Sequence, residues 1–239
     1  MKLLAIDTCL GNASVAVMKD GKLLAEKSCA DKEKIAEKLV IIIEEVLEKA
    51  KTNYNDLNLI VSTIGPGSFT GARIGLSSAK AVAMVANIPI IGITTFDAFA
   101  YHAANHLLND HKIKKMLVVI NAMRDQIYGQ FFNCFNHLPK ISSKGPPFMA
   151  DYQDIKNLIE KEKILITGNS KEIVEKELTR KHNFEITENL VVAASDVGMM
   201  GFYKTRFGKD IKSEGNIVPI YIRKPDAKIS KTQCIVEKE

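Results

Sequence analysis

Tryptophan is absent from the 239-residue chain, and the aromatic share is only 7%. That scarcity counts against a surface built to stack bases, which needs exposed rings in series. No apolar run approaches the ~18 residues that a membrane-crossing helix requires, so no membrane contact is expected. Residues 1–25 lack a basic stretch, an apolar stretch and a small-residue cleavage site in that order, so no secretory signal is expected. The four cysteines, Cys9, Cys29, Cys134 and Cys234, show no paired spacing. They point away from a disulfide framework or a zinc site and toward a reducing, cytoplasmic compartment. A dominant charge is lacking as well: 33 basic residues face 28 acidic ones, and the lysine-rich excess of +5 is diffuse. A solvated lysine surface accounts for it better than a dedicated nucleic-acid face.

What is present is an ordinary globular composition, 46% hydrophobic and 26% charged, with a length that suits one large or two small domains. Apolar, partly alternating runs at 2–8, 13–20 and 22–30 predict three strands. Asp20–Gly21 predicts the turn between the second and third, because glycine accepts the positive φ such a turn demands. A helical pattern over 32–51, a strand at 57–64, a helix over 70–87 and a strand at 89–95 follow, with a helix at 96–109 capped by Thr95. The second half repeats the order. A hairpin spans 115–122 and 126–135, and a weaker strand near 139–148 is interrupted by Gly145-Pro146-Pro147. Then come a helix at 151–162 capped by Asp151, a strand at 164–168, a helix at 170–181 opened by Ser170, a strand at 184–189, a helix at 194–207 and a tail strand at 218–224. Two βββαβαβα halves, 1–107 and 108–239, imply mixed α/β sheets covered by helices. The last helix and tail are expected to pack back on the first half.

Residues 62–76, STIGPGSFTGARIGL, carry Gly65, Gly67, Gly71 and Gly75 where a strand runs into a helix. A helix N-terminus attracts anions, and glycine lets a ligand approach the backbone. The stretch is nonetheless no P-loop, since Ala72–Arg73 stand where Lys–Ser/Thr is required. It is no dinucleotide fingerprint either, because Pro66 sits inside the turn. Taken alone, the loop favours a structural turn over a nucleotide cradle.

Gly71, Gly75, Ala79 and Ala83 recur every four residues and form one nearly bare ridge on the following helix. Glycine inside a helix costs ~1 kcal/mol relative to alanine, so two of them need a reason. Close approach of another backbone supplies one. That neighbour is either the chain's own sheet or a partner. In the helix over 32–51 the apolar residues, Ala36, Val40 and Leu47 among them, fill an arc of about 160°, wider than one packed face needs. Ile41 lies outside that arc.

The runs LLAIDT, ASVAV and DG, then STIGPGSFTGARIGLSSAKAVA and IPIIGITTFDAFA, resemble the TsaB (YeaZ) family, with weaker matches to PIYIRKPDAK at 219–228. The resemblance implies a duplicated actin-like, sugar-kinase-like (ASKHA) fold with ribonuclease-H-like sheets. It implies a non-catalytic partner of TsaD in making N6-threonylcarbamoyladenosine beside the tRNA anticodon, with the ATPase TsaE completing the assembly and tRNA met only indirectly. The partner interface is expected at Ala36, Val40, Ile41, Leu47, Gly71, Gly75, Ala79 and Ala83, and the same surface pairs with itself in an isolated homodimer.

Where TsaD-like enzymes carry two metal-binding histidines, this chain has Thr95 and Phe99, and Phe cannot ligate. His102 and His106 have a metal-compatible spacing on a helix, but a solvated face is the expected reading. No metal site and no catalytic residue is therefore assigned. Candidate nucleotide contacts are Asp7, Thr8, Gly11, Gly65 and Gly67. Asn121 stands where a second acidic residue is often found, which weakens a magnesium–phosphate site. No cofactor of its own is expected, with weak ATP or ADP binding at the partner boundary left open. The competing reading is a metal- or ATP-dependent enzyme of the same fold, a transferase or a glycoprotease-like peptidase. Ser68 is its candidate nucleophile, though no histidine is placed to pair with it.

Overall fold

The structure is a computed structural model. It describes the chain except residues 11, 30, 32–33, 107–112, 136–140, 160–162, 179–182, 188–190, 208–216 and 224–239, and the side chains of His106 and Phe207. In chain order the described elements are β1 Lys2–Asp7, β2 Ala13–Lys19, β3 Lys22–Cys29, α1 Ile35–Lys49, β4 Leu59–Thr63, α2 Phe69–Ala86, β5 Ile90–Ile93 and α3 Thr95–His106. The order then repeats as β6 Lys115–Asn121, β7 Gln126–Cys134, β8 Ile141–Asp151, α4 Ile155–Leu158, β9 Ile164–Thr167, α5 Lys171–Glu177, β10 Phe184–Ile186 and α6 Ala194–Phe207.

Each series builds a five-stranded sheet of the same topology. The first runs β3-β2-β1-β4-β5 and the second, in reverse, β10-β9-β6-β7-β8. In both, a three-strand antiparallel meander adds two parallel strands beside its first strand. Parallel strands need crossovers, and α1 and α2 supply them in the first sheet. The duplicated actin-like, sugar-kinase-like architecture follows from this pair of sheets.

Three apolar clusters hold the layers together. Ile35, Leu39, Ile42, Ile43, Val46 and Leu47 of α1 pack with Leu4, Ile6, Val15, Val17 and Ile60 on one face of the first sheet. Between the sheets, Leu3, Ala5 and Val61 meet Phe96, Phe99, Ala194 and Val197, and the layer continues to Met116, Val118 and Phe132 of the second sheet. Leu117, Val119, Ile127 and Ile166 gather Ile155 and Val174 on the far face. The helices between the sheets cross over: α3 contacts β6 to β9, whereas α6 contacts β1, β2 and β4. Gly198 and Gly201 let α6 approach closely, since a Cβ at Gly201 would overlap the Val61 side chain.

Several local expectations change. Thr94, not Thr95, caps α3: its Oγ1 accepts from the Asp97 N–H at 2.9 Å, while the Thr95 hydroxyl is buried without a partner among the described residues. Asp151 and Ser170 make no side-chain cap bonds. Asp151 instead accepts from Gln126 Nε2 at 2.8 Å. The helix expected over 151–162 is assigned only at Ile155–Leu158, after a 3₁₀ turn at Tyr152–Asp154. The strand expected to break at Gly145-Pro146-Pro147 runs through to Asp151, because those residues fall where the β7–β8 register shifts and no ladder bond is required of proline. The tail at 217–223 is no strand, although Ile220 N donates to Ile64 O at 2.7 Å. The expected boundary between the halves, at 107–108, lies outside the described residues.

Candidate functional site

The glycine-rich loop lies between the end of β1 and the start of α2, and its glycines face the chain's own backbone. A Cβ at Gly67 would overlap the Cys9 carbonyl, one at Gly71 the Thr8 carbonyl, and one at Gly75 the Thr8 hydroxyl. Ser68 N donates to Cys9 O at 2.7 Å, and Thr8 Oγ1 donates to Gly71 O at 2.6 Å. Gly65 adopts φ +94°, a conformation that favours glycine, and its carbonyl accepts from Thr95 N at 2.8 Å. Ser68 Oγ accepts from Gly71 N at 3.0 Å and so caps α2. The candidate nucleophile is thus engaged as a helix cap.

Asp7 and Thr8 are likewise turned inward. Asp7 is only 2% exposed, and one carboxylate oxygen accepts from Thr63 Oγ1 at 2.7 Å and from Cys9 N at 3.1 Å. Burial raises its pKa, against the lowering effect of the Thr63 hydroxyl and the Cys9 and Thr8 backbone. The Cys9 thiol is pushed up to about 12, first by burial and then by Asp7. Gly11 lies outside the described residues. Of the expected nucleotide contacts, Gly67 alone is a lining residue of the neighbouring cleft; Asp7, Thr8 and Gly65 are not.

That cleft, of about 590 Å³, separates the loop from the β6–β7 turn. Its described lining includes Phe69, Tyr128, Asn121 and Asn169, one charged side chain, Arg223, and no carboxylate. Asn121 Oδ1 accepts from Met123 N at 2.7 Å, so its side chain shapes the turn. Sequence reasoning did not find Arg223 as a cleft residue, and its only signal was a place in the matched PIYIRK run.

The second surface lies outside the first sheet, between α1 and α2. A groove of about 510 Å³ is lined by Val40, Tyr54, Ser77, Ala81, Val82 and Val85, with Ile43 and Ser78. Beside it, Ile41 is 57%, Met84 79% and Val85 76% exposed. Exposed apolar side chains on two neighbouring helices make this face a candidate contact surface. Ala36, Val40 and Ile41 lie on the exposed side of α1. The other expected interface residues do not. Leu47 is buried in the helix–sheet core, and Gly71, Gly75, Ala79 and Ala83 face inward. The bare ridge meets β1 of its own chain, and the face of α2 left outside is that of Ser77, Ala81, Met84 and Val85.

The histidines also differ from expectation. His102 is no solvated residue: its Nδ1 lies 2.8 Å from Asp196 Oδ2 and ties α3 to α6. Asp97 lies 3.6 Å from Lys204. Among the described residues no group of three His, Cys, Asp or Glu side chains could hold a metal. Thr95 and Phe99 are both buried between the sheets.

The family model for TsaD, tRNA N6-adenosine threonylcarbamoyltransferase, matches residues 24–138. The tRNA threonylcarbamoyladenosine biosynthesis protein TsaB of Buchnera aphidicola subsp. Schizaphis graminum is 37% identical over 126 residues, 53% of this chain and 58% of that protein. YeaZ from Pseudomonas aeruginosa superposes with a TM-score of 0.77 over 92% of this chain and 99% of that one, at 19% identity. The chain is thus similar to TsaB/YeaZ proteins in sequence over about half of its length and in fold over most of it. The aligned stretch spans little more than half the length of the Buchnera relative. An inorganic polyphosphate/ATP-glucomannokinase from Arthrobacter shares the fold alone, with a TM-score of 0.52 at 13% identity over 86% of this chain and 99% of that one. No helix of the described residues is long and apolar enough to cross a membrane.

Proposed function

We propose that this chain is a partner subunit without a catalytic centre of its own, which binds and supports a TsaD-type enzyme. The enzyme transfers the threonylcarbamoyl group to the adenosine beside the anticodon of tRNA. The reading rests on the apolar α1–α2 face, where Val40, Ile41, Met84 and Val85 are exposed on adjacent helices. A TsaD-like stretch within this chain supports a partner of the same architecture, docked helix pair to helix pair. The cleft supports the absence of catalysis: Asp7 is buried, Ser68 caps a helix, and the described lining has no carboxylate to steer a metal–nucleotide. In this reading the chain works in the cytoplasm and needs no cofactor of its own, with ATP or ADP bound weakly, if at all, at the partner boundary. A TsaE-type ATPase completes the assembly, tRNA is reached only through it, and the isolated chain pairs with itself through the same helices.

The test is co-purification of Val85→Glu and Ile41→Glu variants with the TsaD-type paralogue from the same genome. Both positions are exposed, so the variants should melt as the parent does while binding at least ~30-fold more weakly, as loss of a contact hot spot implies. Parental binding by both would overturn the reading. So would ATP turnover or tRNA modification by the isolated chain that Asp7→Ala abolishes.

A further inference from the structure

The stretch from Ile217 to Arg223 spans the gap between the two sheets without belonging to either. Its first part is anchored on the first sheet. Ile217 is buried, Ile220 N donates to Ile64 O at 2.7 Å, and Ile220 O lies against the face of Gly65. Tyr221 is held on α2: its hydroxyl accepts from Arg73 Nε at 2.8 Å, and its ring lies 5.3 Å from that of Phe69. Arg73 also covers the Phe69 ring at 3.7 Å, a cation–π contact. Two residues further on, Arg223 reaches the other side of the cleft. Its Nη2 donates to Gln126 Oε1 at 2.7 Å and to Met123 O at 3.3 Å.

We propose that residues 217–223 are a strap that holds the cleft between the sheets at one width, with the Arg223 contact as its releasable end. The two ends differ in how they are fastened. The Tyr221 end is secured by a buried side chain, a backbone hydrogen bond and an aromatic–arginine cluster. Among the described residues, the Arg223 end is held through one guanidinium nitrogen. What it grips is a strained turn: Met123, Arg124 and Asp125 all have positive φ, +59°, +56° and +58°, and none is glycine. Side chains disfavour that conformation, so the turn persists only while surrounding contacts over-determine it. Among those contacts are Asn121 Oδ1 on Met123 N, Tyr152 N on Asp125 O, the Ala122–Gln126 and Gln126–Met123 backbone bonds, and Arg223 on Met123 O. The Gln126 amide is oriented from both sides, since its Nε2 donates to Asp151 Oδ1 while its Oε1 accepts from Arg223. Loss of the Arg223 contact therefore removes a support from a turn that gains by relaxing, at the mouth of a cleft that Met123 and Arg223 both line. The strap stands whether or not the chain docks a partner enzyme.

Hydrogen exchange of the full chain, read by mass spectrometry, tests this with Arg223→Ala and Arg223→Lys. In Arg223→Ala, exchange is expected to rise at least tenfold at residues 122–127. It should rise as well at Ser68, whose amide bonds to Cys9 on the cleft floor, while the centres of β1, β4 and β6 keep parental rates. Arg223→Lys keeps the charge but not the planar fork, and should fall between. Three results would overturn the proposal: no change at the turn, a looser turn with Ser68 unaffected, or an equal rise across both sheets. Should Arg223→Ala not fold, Gln126→Ala is read against the same criteria.

Discussion

Gly75 on α2 faces the hydroxyl of Thr8 at the end of β1, so closely that a Cβ at position 75 would overlap Thr8 Oγ1. Thr8 cannot swing aside, because it is buried and its Oγ1 donates to Gly71 O at 2.6 Å. The glycine is there for the chain's own helix–strand contact.

Gly75→Ala is therefore expected to destabilise the isolated chain, although alanine is worth ~1 kcal/mol in helix propensity. Overpacking against a fixed neighbour should outweigh that gain and leave a net loss of roughly 1–2 kcal/mol. Denaturant unfolding checks it. A variant as stable as the parent that loses only partner binding would return the ridge to the interface.

The buried carboxyl of Asp7 makes stability depend on pH in a defined direction. Its folded pKa lies above the ordinary 3.8. Well below that value both the folded and the unfolded chain are protonated there. As pH rises the unfolded chain releases its proton first, so this group's contribution to stability falls, and it levels once the folded carboxyl ionises. Asp7→Asn does not titrate and keeps an acceptor oxygen for Thr63 and Cys9. It should be more stable than the parent at pH 7, with the advantage shrinking as pH falls toward 4. An advantage that grows toward acid would contradict the assignment.

Adjacent threonines at the start of α3 should behave oppositely. Thr94→Ala removes the bond to Asp97 N and should cost about 1 kcal/mol. Thr95→Val replaces a buried, unpartnered hydroxyl with a methyl of similar shape and should be neutral or stabilising by up to ~1 kcal/mol. Thermal melts of the two variants decide it, and a reversed order would reject this cap.

Cysteine labelling offers a check that needs no mutation. Cys9 and Cys134 are buried, with thiols pushed up by burial to about 12 and about 11. At pH 8 the Cys9 thiolate fraction is on the order of 10⁻⁴, whereas Cys29 is partly exposed. Iodoacetamide should modify Cys29 and spare Cys9 and Cys134 until the chain is unfolded. Early modification of Cys9 would mean that the loop packing described here is open in solution.

Much of the fold is legible in the residues because it depends on local rules. Asp20–Gly21 forms the β2–β3 turn with φ of +50° and +77°, as a short hairpin requires. The runs at 2–8 and 13–20 and the helical pattern over 70–87 appear as β1, β2 and α2. Local reading failed where a distant partner decided the outcome. The prolines at 146 and 147 looked like a break, yet an edge strand with a shifted register tolerates them. His102 looked solvated because Asp196, its partner, is 94 residues away in the chain.

The candidate site divides in the same way. A wide apolar arc on α1 was readable as one face too many, and Val40 and Ile41 are exposed. The glycine ridge was readable as a demand for close approach, but a stripe without side chains carries no sign of what approaches it. Thr8 answers that demand across 63 residues of chain, and Arg223 reaches Gln126 across 97.

By itself the sequence determined the doubled order of elements, the Asp20–Gly21 turn, and the need for a tight contact at Gly71 and Gly75. Only the tertiary structure decided that this contact is internal, that Asp7 is withdrawn from the cleft, and that Arg223 crosses it. The reason is physical: propensity and periodicity act over a few residues, whereas the direction a face points is set by whichever distant surface excludes water from it.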